Sequence, residues 1–95
     1  MLEKEIEQKL IRTAKKAEGL ALKFVSPGYD GMPDRLLLLP GGRMSFVEVK
    51  APGMKPQPLQ RRRHELLRGL GFRVYVLDAG EQIEQIIKEM GGDAR

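Results

Sequence analysis

Residues 33–50 read Pro33-Asp34-Arg35-Leu36-Leu37-Leu38-Leu39-Pro40-Gly41-Gly42-Arg43-Met44-Ser45-Phe46-Val47-Glu48-Val49-Lys50. Two runs, Asp34 to Leu39 and Met44 to Lys50, flank the link Pro40-Gly41-Gly42-Arg43, and so short a glycine-bearing link predicts a β-hairpin. Side chains alternate along a strand, so Met44, Phe46, Glu48 and Lys50 share one face while Ser45, Val47 and Val49 share the other. Glu48 therefore follows two apolar residues on their own face, with Lys50 about 7 Å farther along. A buried carboxylate is costly unless it is paired or holds a metal. The plainer alternative is a Glu48–Lys50 ion pair near the surface at the strand's end. Counting outward from Gly41-Gly42 sets Asp34 across from residue 49, within one register step. Pro33 fixes the backbone at the mouth of this strand and biases Met32 toward extended geometry. Asp34, Glu48 and Lys50 are thus expected to converge at the open end of the hairpin. Two carboxylates suit a hard cation such as Mg²⁺, with water completing its octahedron. Lys50 is placed to orient or deprotonate a water there.

Outward from the hairpin, residues 2 to 18 predict a helix through the spacing of Leu2, Ile6, Leu10, Thr13, Ala14 and Ala17, ended by Gly19. Leu20 to Val25 predicts a strand, and Ser26-Pro27-Gly28-Tyr29-Asp30-Gly31-Met32-Pro33 a loop. Downstream, Ala51-Pro52-Gly53-Met54-Lys55-Pro56-Gln57-Pro58 is excluded from regular structure by its prolines. A helix follows from about Pro58 to Leu70, with Pro58 in its first turn and Gly71 at its C-terminal cap. Phe72 to Leu77, apolar nearly throughout, is expected as a central strand. A last helix begins near Asp78 or Gly80, carries the stripe Ile83, Ile86, Ile87 and Met90, and stops at Gly91-Gly92. The order α-β-β-β-α-β-α describes an α/β fold, a small mixed sheet with helices packed on it.

Composition bounds the rest. A chain of 95 residues has room for one domain, here residues 1–95. Hydrophobic residues at 41% and charged ones at 32% are a folding composition, and aromatics at 5% make the core aliphatic. The net charge of +4 suits a polyanionic partner. The absence of cysteine excludes disulfides, thiolate zinc sites and cysteine nucleophiles. No apolar run reaches the roughly 18 residues that a bilayer span needs, and Met1-Leu2-Glu3-Lys4-Glu5 is too charged for a signal peptide. The expectation is a soluble cytoplasmic protein with no membrane partner.

Two further polar residues fall on apolar stripes. Glu3 lies seven residues before Leu10 and so points inward with it, unless the first turn frays and releases it to solvent. Glu5 points to the far side and Glu7 to the flank. Gln60 lies seven residues before Leu67, on a stripe read as Leu59, Leu66 and Leu70. It can bond a water, a carboxylate or a phosphate oxygen, or cap a neighbouring backbone group.

Pro33-Asp34 followed after one hairpin by Glu48-Val49-Lys50, in this element order, resembles the PD-(D/E)xK nuclease superfamily. Lys23-Phe24, Gly31-Met32-Pro33-Asp34-Arg35, Phe46-Val47-Glu48-Val49-Lys50-Ala51-Pro52-Gly53, Pro58-Leu59-Gln60 and Gly71-Phe72-Arg73-Val74-Tyr75-Val76 resemble successive motifs of its VRR-NUC branch, over roughly residues 3 to 88. The resemblance implies a restriction-endonuclease-like αβββαβ core with a C-terminal helix. It implies that Asp34, Glu48 and the Val49 carbonyl bind Mg²⁺, for which Mn²⁺ can substitute, and that no organic cofactor is needed. By the same resemblance Lys50 positions the attacking water or offsets charge at the phosphate, Glu3 points into the site, and Gln60 is the glutamine of the helix behind it. Glu5 is the alternative to Glu3 should the helix register differ.

The implied reaction is phosphodiester hydrolysis. Lys23, Arg35, Arg43, Lys55, Arg61, Arg62 and Arg63 are the candidate DNA contacts as a set near an acidic site, although any one of these arginines is more often part of a solvated face than a specific contact. The single histidine, His64, follows the arginine run and is expected on or beside the solvated face of its helix, without a catalytic role. Stand-alone members resemble Holliday junction resolvases, so branched DNA is the expected substrate and a homodimer the expected form, in a bacterial or phage-infected cell. A flap nuclease, or a catalytically silent binding module of the same fold, is the alternative.

Overall fold

The computed structural model describes residues 1–91, in the order α1 (Glu3–Lys16), β1 (Leu20–Lys23), β2 (Arg35–Leu39), β3 (Arg43–Val49), α2 (Pro58–Gly69), β4 (Val74–Leu77) and α3 (Gln82–Glu89). Residues 92–95, including Gly92 and the end of the expected domain, lie outside the described residues. The predicted mixed α/β order is present; most elements are shorter than expected by one to a few residues, while β3 is shifted one residue earlier, to Arg43–Val49. The strands form one sheet in the order β1-β2-β3-β4, antiparallel at the first two junctions and parallel between β3 and β4. The hairpin is in place, with Leu39 opposite Arg43 and Arg35 opposite Val47.

Alternation divides the sheet's two faces. Ala21, Leu37, Leu39, Val47, Val49 and Leu77 meet Ile6, Leu10 and Ala14 of α1 and Ile83, Ile86 and Ile87 of α3 in the main core. Phe46 and Val74 on the other face meet Leu67 of α2, with Phe24, Met32, Leu36 and Met44 packed around them. That second layer covers only part of its face. Leu20 and Leu22, which alternation places there, are 46% and 43% exposed.

Three expectations change. β4 lies at the sheet edge rather than in the centre. Its apolar run arises because Val74 faces α2's layer while Leu77 faces the main core, so helices cover both sides of an edge strand. Arg68 in α2 donates to the Val74 carbonyl at 2.8 Å, satisfying a group of that strand. The inward arc of α2 is also rotated: His64 and Leu67 are buried, while Leu66 and Leu70 are 45% and 66% exposed. Finally, α1 ends at Lys16, two residues short of the expected residue 18. Glu18 holds the left-handed φ of 64°. Gly19 is required for another reason, since a Cβ there would stand 2.1 Å from the Leu38 carbonyl oxygen. A glycine thus lets the chain leave α1 and press at once against β2.

Candidate active site

The register that builds the sheet also builds the site. Extending the pairing one residue beyond Arg35–Val47 brings Asp34 level with Glu48, inside the one-step latitude of the sequence count. Cross-strand partners share a face, so Asp34 and Glu48 look the same way while Arg35 and Val47 look the other. Asp34 is fixed there because its Oδ1 accepts the Val49 N–H at 3.1 Å and its carbonyl accepts the Phe24 N–H at 2.9 Å. Gly31, three residues upstream with φ +89°, passes so near α2 that a Cβ would meet Leu59 at 2.8 Å. The loop therefore enters β2 pressed against the helix that carries Gln60.

Glu48 is 3% exposed. Lys50 Nζ stands 3.7 Å from its Oε2. The expected ion pair exists, but it is enclosed rather than at the surface. Gln60 fulfils both roles open to it: its Oε1 accepts the Gln57 N–H at 2.8 Å and so caps α2, and its Nε2 donates to Glu48 Oε2 at 3.2 Å. Burial pushes the Glu48 carboxyl from its ordinary 4.5 up to about 7, the Asp34 charge adds to the push, and Lys50 opposes it. Burial raises Asp34 as well, against the pull of the Val49 N–H, and the charges of Glu7 and Glu3 push it further up. Two desolvated carboxylates side by side, with one lysine between them and neutrality, form an electrostatically incomplete site.

The Val49 carbonyl faces the same side as Asp34. Lys50 N–H donates to the Leu77 carbonyl of β4 at 2.8 Å. Across a trans peptide the preceding carbonyl points the opposite way, toward β2. Asp34, Glu48 and Lys50 therefore come together as the hairpin geometry predicts, and the Val49 carbonyl, which only the resemblance implied, faces the same side.

Glu3 opens α1 and is exposed rather than inward, although the first turn is formed and not frayed, and its charge is felt at both Asp34 and Glu48. It stands at the rim of the site. Glu5 is occupied elsewhere, its Oε1 accepting the Leu2 N–H at 2.7 Å as a helix cap.

The cationic residues divide. Lys23, Lys55, Arg61 and Arg62 are exposed. Arg63 stacks on Tyr29 at 3.9 Å from the ring centroid and donates to the Asp30 carbonyl at 2.8 Å, tying the 26–33 loop to α2. Arg35 is not a free phosphate contact: Nη2 and Nε lie 2.9 and 3.0 Å from Glu7 Oε2, and Nη1 donates to the Ala21 carbonyl. Facing away from Asp34 by one strand step, it pairs with the flank residue of α1. Arg43 is also misplaced by sequence proximity. It begins β3, roughly 17 Å along the strand from Glu48 at 3.3 Å per residue. Its Nε is buried without a partner.

His64 is the residue that sequence reasoning assigned to the wrong surface. It is 2% exposed, and its Nε2 lies 3.4 Å from Glu48 Oε1. Burial lowers its pKa, and the charges of Arg68 and Lys50 lower it further. The signal was available: a helix residue four positions after an inward Gln60 also faces inward. The Glu7–Arg35 pair carried no comparable signal, because it joins elements 28 residues apart.

Among the described residues no group of three or more His, Cys, Asp and Glu side chains gathers in metal-holding geometry. Two carboxylates and a backbone carbonyl nevertheless match the donor set of Mg²⁺, which keeps several waters and takes few protein oxygens. A concavity lined by Thr13, Ala17, Ile87 and Lys88 lies between α1 and α3, away from these carboxylates.

Known proteins resemble this chain over most of its length. The VRR-NUC domain family matches residues 2–81. A protein of Acyrthosiphon pisum secondary endosymbiont phage 1, named "Putative nuclease p44", is 53% identical over 77 residues, covering 81% of this chain and 83% of that protein. A solved structure described as "VRR_NUC domain" superposes with a TM-score of 0.84 at 34% identity, covering 90% of this chain and 94% of the other. With the Asp34, Glu48 and Lys50 cluster at the end of its hairpin and most of its length matched, the chain belongs to the VRR-NUC nuclease family.

Proposed function

We propose that the protein is a Mg²⁺-dependent, structure-specific DNA endonuclease that hydrolyses phosphodiester bonds and nicks four-way junctions as a homodimer, in the cytoplasm of a bacterial or phage-infected cell. The observation that carries the chemistry is the pair of desolvated carboxylates, Asp34 and Glu48, beside Lys50. Their mutual repulsion disfavours ionising both unless a cation joins them. Asp34, Glu48 and the Val49 carbonyl would hold Mg²⁺, with Mn²⁺ as substitute. Bound there, the ion supplies charge neutralisation at the phosphate and lowers the pKa of water.

The chain's own residues do the rest. Lys50 Nζ orients the attacking water and offsets charge on the phosphate. Gln60 holds Glu48 Oε2, Glu3 binds water at the rim, and Lys23, Lys55, Arg61 and Arg62 present exposed cations for phosphates. The name of the phage relative supports nuclease activity.

The homodimer reading draws support from the uncovered sheet face. Phe24, Phe46 and Phe72 stack edge to face at 5.7 and 5.8 Å between centroids, carrying an apolar band across the sheet. Leu20, Leu22 and Phe72 on this side are 46%, 43% and 43% exposed. Exposed apolar area of this kind marks a protein contact rather than a phosphate contact. A two-fold dimer offers two sites to two equivalent strands of a junction.

The test is cleavage of labelled four-way junctions and flaps at matched salt, with Mg²⁺ or with chelator. Junction nicking is expected with Mg²⁺ alone, and Asp34→Asn or Lys50→Ala should remove it while junction binding persists. Faster flap cutting would make the protein a flap nuclease. Binding without metal-dependent cleavage, the same in parent and variants, would identify a silent binding module.

A further inference from the structure

We propose that His64 is a positioning residue that fixes Glu48 as a metal ligand by donating an Nε2–H hydrogen bond to Oε1. The proposal rests on the reading of Glu48 as a ligand and concerns how the carboxylate is aimed. A terminal carboxylate torsion is soft, so one hydrogen-bonded oxygen leaves the other free to swing. Lys50 and Gln60 both reach Oε2, while Oε1 has His64 as its partner. Holding both oxygens fixes the plane of the group. Each carboxylate oxygen offers two lone pairs, so these donors leave room for a cation.

The placement is built into α2. Gln60 and His64 stand one turn apart on the buried arc, and Leu67 continues that arc against Phe46 and Val74. An aliphatic side chain at position 64 would fill the same layer without the cost of burying a polar ring. The imidazole is enclosed, at 2% exposed, and the acidic group its Nε2 faces is Glu48. An ionised carboxylate only accepts hydrogen bonds, so the ring nitrogen facing it must carry the proton. At 3.4 Å the contact is long for a charged hydrogen bond, and it is expected to shorten when the ligand geometry of the site is completed.

The test is Mn²⁺ affinity, read by electron paramagnetic resonance on untagged protein without DNA, for the parent, His64→Leu and His64→Gln. A glutamine amide can reach the position of the ring Nε2 and restore the donor. His64→Leu should weaken Mn²⁺ binding by about tenfold or more, the usual effect of losing a partner that orients a ligand, and His64→Gln should recover most of it. Equal affinity in parent and His64→Leu would overturn the proposal while leaving the metal site standing. Equal losses in both variants would also overturn it, since packing alone would then explain the effect. A parent protein that binds no Mn²⁺ would overturn the metal site itself, and this proposal with it.

Should His64→Leu fail to fold, the unsubstituted protein decides. Its single histidine gives an unambiguous ¹⁵N imidazole spectrum. A proton on Nε2 whose resonance moves on adding Mg²⁺ supports the proposal. With Mg²⁺ bound, a proton on Nδ1, or a resonance unmoved from the metal-free protein, contradicts it.

Discussion

Glu48 is held in a position that favours its protonated form in the metal-free protein. Its carboxyl is pushed from 4.5 to about 7, chiefly by burial and then by Asp34. Between those two values the folded chain holds a proton that the unfolded chain has released, so this group makes stability fall as pH rises from about 4.5 to about 7. Thermal melts in chelator should show that decline, and Mg²⁺ at pH 8 should reverse it by binding only the ionised folded state. Glu48→Gln removes the desolvated charge, so at pH 8 in chelator it should stabilise the protein by on the order of 1–3 kcal/mol while losing the response to Mg²⁺. A Glu48→Gln protein that melts lower than its parent at pH 8 would show that the carboxylate is well accommodated without metal. At this scale the alternation of β3 made Glu48 and Lys50 legible in the sequence, because a strand has only two faces. His64 was hidden by its neighbours. Three arginines in a row suggested a solvated surface, although helical geometry turns each successive residue by about 100° and the fourth lands inside.

At the scale of elements, α2 joins helix start to site through one side chain. Gln60 caps the helix through Oε1 and reaches Glu48 through Nε2. Gln60→Ala should therefore cost about 1 kcal/mol in denaturant unfolding through the lost cap, and also weaken Mn²⁺ binding. Gln60→Glu keeps the cap but sets a third carboxylate against Glu48, so its melting temperature should fall more at pH 8 than at pH 5. An equal fall at both would refute the contact with Glu48. Gly19→Ala belongs to the same scale: a Cβ 2.1 Å from the Leu38 oxygen forces α1 and β2 apart, and the loss should exceed the roughly 1 kcal/mol of an ordinary glycine effect. The hairpin and the helices were readable because turn chemistry and periodicity are local. The edge position of β4 was not, since an apolar run reports coverage of both faces and says nothing of how many strands lie beside it.

At the scale of the molecule, exposed cations and exposed apolar residues call for different tests. Arg61 and Arg62 are exposed on α2, the helix that carries Gln60 and His64 to Glu48. Replacing both with alanine should weaken junction binding and lower the salt slope by up to about 2, with the cleavage rate at saturating DNA little changed. Leu22→Lys places a charge on the uncovered sheet face, and gel filtration of a dimeric parent should then show a monomer; an unchanged elution volume would move the interface elsewhere. Partner surfaces were the least legible feature in the sequence. Arg35 and Arg43 sit beside site residues along the chain, yet one pairs with Glu7 across the sheet and the other begins β3 at its far end. The central claim is that Asp34, Glu48 and the Val49 carbonyl form a seat for a divalent ion, and the most direct measurement is anomalous diffraction from a crystal soaked in Mn²⁺. A peak coordinated by those three residues, beside Lys50, is the predicted result. Mn²⁺ bound elsewhere, or no peak between the carboxylates at a concentration that supports cleavage, would contradict it.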